Sequence, residues 1–145
     1  MRSFEGFTIL EVTLVIGILA LIFSIGIPVT FNFYVDYQLV TERDNFIAIY
    51  QQARDAAMAG EGGTDHGVYV TNDGYVLFEG ESYASRSTDQ DLDITRSDLI
   101  EITGPTEVVF DALSGRTPSA SFSITNGRKI FSVDINTEGN INWEL

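Results

Sequence analysis

The sequence contains no cysteine. That excludes disulfides, thiolate metal sites and cysteine nucleophiles, so the fold must be held by packing alone. There is one histidine, His66. A metal site would have to be built on carboxylates, and a Ser-His-Asp arrangement would need a nucleophile signature that is absent. Coming just after Gly62-Gly63, His66 reads as a loop residue, and the chain reads as having no catalytic activity. Basic residues are also scarce, with 8 Lys and Arg against 21 Asp and Glu and a net charge of −13. The basic stripe that nucleic-acid binding requires is missing, and so strongly acidic an exterior repels phosphates and anionic lipid heads while aiding solubility. Arg128-Lys129 is the sole adjacent basic pair and reads as a hairpin exit. No internal repeat is present.

What is there is unevenly placed. The 145 residues, 44% of them hydrophobic, suffice for one compact domain plus one long helix. From Val12 to Val35 there is no charged residue. As a helix, such a run spans roughly 30 Å of hydrocarbon. Pro28, after Gly26-Ile27, removes a backbone donor and is expected to kink or loosen that helix. Beyond it the pattern becomes one-sided. Val35, Leu39, Phe46, Ile49, Ala53 and Ala57 form an apolar stripe, with Asp36, Glu42, Arg43, Asp44, Gln51 and Arg54 expected to face elsewhere. Gly60, Gly62 and Gly63 end the segment. The spacing predicts one helix from about Thr8 to Ala59.

The remainder alternates with a period of two. Val68–Val70 and Tyr75–Phe78 flank Asn72-Asp73-Gly74, and Phe122–Ile124 and Ile130–Val133 flank Asn126-Gly127, both hairpin signals. Gly80–Asp91 reads as a polar loop. Leu99–Ile102 and Val108–Phe110 are short apolar runs, and Ile141 with Trp143 marks a last strand. Tyr69, Tyr75, Phe78 and Trp143 are expected to fill the sheet core. The fold class is α+β, a long N-terminal helix packed on a C-terminal antiparallel β-sheet. Its segments are 1–6, 7–35 (apolar half-helix), 36–59 (amphipathic half-helix) and 60–145 (sheet region).

The start reads Met1-Arg-Ser-Phe-Glu-Gly6, then Phe7-Thr-Ile-Leu-Glu11. A glutamate at the edge of an apolar span is costly, up to about 2.5–3.5 kcal/mol at a helix centre and less near an end, so Glu11 calls for a partner. Thr8-x-x-Glu11 also fits a capping box. The apolar run has two ordinary readings. One is a secretory signal peptide cut at Ser24-Ile25-Gly26 to leave Ile27 first, and the other is a permanent anchor.

The Gly6-Phe7-Thr-x-x-Glu11 block resembles the class III signal of type IV pilins and type II secretion pseudopilins. The resemblance implies a pilin-like fold, residues 1–6 as a leader removed by a prepilin peptidase after Gly6, and N-methylation of the new first residue, Phe7. It implies that Glu11 of one subunit pairs with the Phe7 amine of a neighbour, and that the helix loosens at Gly26 and Pro28 within a filament. It further implies a homo-oligomeric helical filament, partnered by pilus or secretion assembly machinery. The chain would first be single-pass in the cytoplasmic membrane, then part of an extracellular or envelope-spanning filament. Glu5 offsets the basic charge usual in such leaders, and the cysteine-closed loop of many major pilins is missing. The retained Glu11 argues against a tip pseudopilin. Ala53-Arg-Asp-Ala-Ala57 and Phe110-Asp-Ala-Leu-Ser-Gly115 look like H-type pseudopilins and related minor pilins.

Asp89-x-Asp91-x-Asp93 is the candidate cation site. Some pseudopilins resemble it in binding calcium in a sheet-side loop, yet Ile94 and Ile100 stand where an EF-hand needs glycine and glutamate. A solvated acidic loop with no cofactor is the preferred reading. The runner-up of a different class is an exported monomeric binding domain.

Overall fold

The computed structural model describes residues 6–144, and the side chains of residues 26–29 lie outside that description. The leader assigned to residues 1–6 therefore falls outside the described residues except for Gly6. The chain divides into two compact units, Met1–Val35 and Asp36–Leu145. One α-helix, α1, runs Ile9–Ala59. Its first turn is capped by Thr8, whose Oγ1 accepts the Glu11 N–H at 3.3 Å and whose carbonyl accepts the Val12 N–H at 3.2 Å. The helical assignment continues through Gly26 and Pro28. Gly60 ends the helix in the left-handed region at φ 68°, its N–H returning to the Ala57 carbonyl.

Eight strands follow: β1 His66–Val70, β2 Gly74–Glu79, β3 Leu92–Thr95, β4 Glu101–Thr103, β5 Glu107–Phe110, β6 Ala120–Thr125, β7 Ile130–Ile135 and β8 Ile141–Glu144. They make two four-stranded antiparallel sheets rather than one, in the orders β3-β2-β1-β5 and β4-β6-β7-β8. Both hairpins form where the turn residues place them, with Val70 opposite Tyr75 and Thr125 opposite Ile130. The pairings of β1 with β5 and of β4 with β6 join residues far apart in sequence, so no local signal announces them.

The stripe Leu39, Phe46, Ile49, Ala53 and Ala57 is buried, and so is Val35. Phe46 stacks on Tyr50 at 4.3 Å and meets Tyr75 of one sheet and Phe122 of the other edge-on, so both sheets close over one face of the helix. Glu42 departs from expectation. It is buried rather than outward-facing, because it falls between Leu39 and Phe46 on the same stripe, and Tyr75 of β2 donates to its carboxylate at 2.5 Å. That bond supplies the partner a buried charge requires. Tyr75 and Phe78 are buried core residues, and Tyr69 is half-buried. Trp143, expected in the core, is 48% exposed. It sits on edge strand β8, with the Arg43 guanidinium 4.2 Å from its ring.

Candidate functional site

In the unit Met1–Val35, Gly6 and Phe7 precede the helix in irregular backbone, and Phe7 is 83% exposed. Every described position from Gly6 to Ile25 is exposed. By length and composition the helix suffices to cross a membrane. Its hydroxyls are satisfied internally, Thr13 donating to the Leu10 carbonyl and Ser24 to the Leu21 carbonyl, each at 2.9 Å. These two hydroxyls therefore carry no open donor that contact with hydrocarbon would penalise. Phe7 and Glu11 lie one turn apart and, with Val12, Val15 and Ile16, line a shallow depression of ≈ 270 Å³. Among the described residues no side chain donates to or pairs with the Glu11 carboxylate. The arrangement is therefore an apolar helical surface bearing one acid, open to a cation from outside the unit.

The acidic triad is dispersed by the fold. Asp89 sits in a 3₁₀ turn, Thr88–Gln90, while Asp93, read as part of a solvated acidic loop, lies in β3 opposite Val76. Between them Asp91 is taken by Arg86, whose Nε donates to it at 2.8 Å. The Arg86 guanidinium also lies 3.6 Å from the centre of the Tyr83 ring, which stacks on Tyr69. The bond to Asp91 holds the Arg86 pKa above its already high ordinary value. Among the described residues no three imidazole or carboxylate side chains converge as a metal-holding group.

His66 lies in β1, not a loop, and is 4% exposed. Its Nε2 is 3.0 Å from the Glu61 carbonyl oxygen. A carbonyl only accepts, so Nε2 carries the proton, and the bond ties the segment after α1 to the sheet. Within the Phe110–Gly115 run, the contact to the helix is made by Leu113. Its backbone N–H donates to the Ala57 carbonyl at 2.8 Å, so the Phe110–Gly115 segment closes the end of α1. Leu113 adopts φ 63° with its side chain 77% exposed. Ala53–Ala57 and Phe110–Gly115 thus meet in space, which only the tertiary structure reveals.

An exposed apolar half-helix that continues into an amphipathic half, closed over by antiparallel sheets, is the type IV pilin fold. A solved structure, the Pseudomonas aeruginosa type IV minor pilin FimU, is similar with a TM-score of 0.58 over 72% of this chain and 91% of that one. Identity is 19%, so the likeness is one of fold. No protein-family description and no curated protein matches the sequence.

Proposed function

We propose that this chain is a structural subunit of a type IV pilin-like filament. On this reading a prepilin peptidase cleaves after Gly6, Phe7 becomes the N-methylated first residue, and subunits polymerise through the apolar half of α1. The observation that carries the proposal is Glu11, an acid without a partner among the described residues, on a helix face that is otherwise apolar and exposed. Cleavage would place a cationic amine on Phe7, and in a low-dielectric bundle the Glu11 carboxylate of one subunit would attract the amine of the next and set axial register. Gly26 and Pro28 would allow the helix to loosen as subunits bundle. Before assembly the subunit waits as a single-pass protein of the cytoplasmic membrane, and the pilus or secretion machinery extracts it.

A minor-subunit role, in a pilus or as a type II secretion pseudopilin, is the second reading. It is favoured by the fold likeness to a minor pilin and by the Phe110–Gly115 closure of the helix end. Mass spectrometry of the mature N-terminus in membrane and sheared surface fractions tests the proposal. N-methylated Phe7 in sheared material supports it, with abundance there favouring a major subunit and scarcity a minor one. A chain beginning at Ile27 sinks it in favour of a secreted domain. Glu11→Ala is expected to abolish recovery in the sheared fraction while leaving the membrane pool intact.

A further inference from the structure

Beyond the apolar half-helix, the structure points to a second surface, at the turn between β6 and β7. Asp36 is the first charged residue after Val12–Val35, and its covalent place, rather than any contact with the span, sets its depth at the membrane boundary. Tyr34 and Tyr37 beside it are 52% and 69% exposed, as aromatic residues at a membrane–water interface are. The turn is fastened to Asp36. Lys129 Nζ approaches its carboxylate at 3.1 Å, Asn126 Nδ2 at 3.1 Å and Arg128 Nη1 at 3.8 Å. The hydrogen bond from Lys129, with smaller help from Asn126 and Arg128, holds the Asp36 pKa below the usual carboxylate value.

Elsewhere, Arg43, Arg86 and Arg116 each face a carboxylate of their own, Asp44, Asp91 and Glu138. At the turn two cations share one carboxylate and remain 49% and 54% exposed. Arg96 borders the same depression as Asn126 and Gly127, together with Asp98, Leu99 and Glu101. Leu99 and Ile130, exposed by 43% and 58%, add apolar surface. Arg54 and Arg96 donate to the backbone carbonyls of Glu138 and Asn72, so among the described ion pairs this turn is where two cations meet a single carboxylate, within a region carrying net −12 beyond residue 35.

We propose that the turn Asn126–Ile130 contacts the anionic phosphate groups of the membrane in which the subunit is anchored. Arg128 and Lys129 engage phosphate while Ile130 rests at the headgroup boundary, and the acidic remainder is repelled from the same surface, which orients the domain. This rests on residues 7–35 being a membrane span but not on polymerisation.

The absence of cysteine makes a single-site label clean. The whole chain carrying Ser132→Cys, labelled with a fluorophore, is reconstituted into vesicles of phosphatidylcholine alone or mixed with phosphatidylglycerol, each containing a headgroup-nitroxide lipid. Quenching should be stronger with phosphatidylglycerol and should collapse at about 1 M salt, where the screening length is about 3 Å. Arg128→Gln and Lys129→Gln should each lower the apposed population about fivefold. A label at Ser114→Cys, in the loop that closes the far end of α1, should stay unquenched. Asp36→Asn separates a lipid contact from a merely structural one. It frees both cations and should preserve or raise quenching, whereas a structural clamp would make it mimic the charge-removing variants. Quenching that ignores lipid charge overturns the proposal. So does quenching that grows with protein density at fixed lipid composition, which would assign the turn to the acidic surface of a second copy. Failure of the chain to float with vesicles overturns the span reading as well.

Discussion

Replacing Tyr75 with phenylalanine removes one hydroxyl from beneath the helix and leaves Glu42, 5% exposed, without the donor that holds it. Net hydrogen bonds to charged groups are worth about 1.5–3 kcal/mol, and an acceptor stranded in the core bears its full desolvation cost. Tyr75 stays packed edge-on to Phe46 in either form, so little apolar contact is lost. The expected loss is about 2–3 kcal/mol, or roughly 5–10 °C in Tm for a chain of this size. Thermal unfolding of the detergent-solubilised chain, followed by near-ultraviolet circular dichroism, reads the effect. Glu42→Gln keeps an acceptor oxygen and should cost less than about 1 kcal/mol, and the double variant should recover about 1.5 kcal/mol of coupling. A Tyr75→Phe chain within about 0.5 kcal/mol of the parent would refute the reasoning, because Glu42 would then have to find water or another donor.

Two more outcomes are open to the same assay. Burial raises the phenol pKa of both Tyr50 and Tyr75 far above the ordinary 10.0, with the Glu42 hydrogen bond adding to the effect at Tyr75. Sign follows from the neutral form being favoured in the fold, so this stability is complete below pH 10 and lost as pH climbs above it, at about 1.4 kcal/mol per pH unit for each ring. The Tyr50 hydroxyl is buried without a partner among the described residues, so Tyr50→Phe should be neutral or stabilising near pH 7 and should flatten the alkaline loss; strong destabilisation would contradict it. Leu113→Gly should raise stability by about 1 kcal/mol by relieving a left-handed backbone at little cost in burial, and an unchanged or lower Tm would show that the exposed leucine packs after all.

Elements with a local cause were legible in the sequence. A charge-free run from Val12 to Val35 needs no partner to be recognised as a span-length helix, and Asn72-Asp73-Gly74 and Asn126-Gly127 bend the chain by their own backbone preferences. The Gly6-Phe7-Thr-x-x-Glu11 block is equally local, since Thr8 caps the helix through the Glu11 N–H three residues on. Glu42 shows where residue type misled: the 3.6-residue period put it on the buried stripe, but its charge argued for solvent, and the Tyr75 hydroxyl that reconciles the two comes from 33 residues away.

Non-local pairing decided the rest. The division of eight strands between two sheets depends on β5 finding β1 and β4 finding β6, contacts whose stability exists only once both partners are placed. Asp36 became the partner of Lys129 and Asn126 because the β6–β7 turn, some ninety residues on, folds back to within 3.1 Å of it. Trp143 lies at the surface because β8 ends its sheet and nothing but Arg43 and Phe131 reaches its ring among the described contacts. The sequence by itself determined the span-length apolar helix, its lone acid and the turns, each set by neighbours in the chain. The tertiary structure decided which charges are buried, paired or left facing outward, because electrostatic energy depends on distances that folding alone brings about.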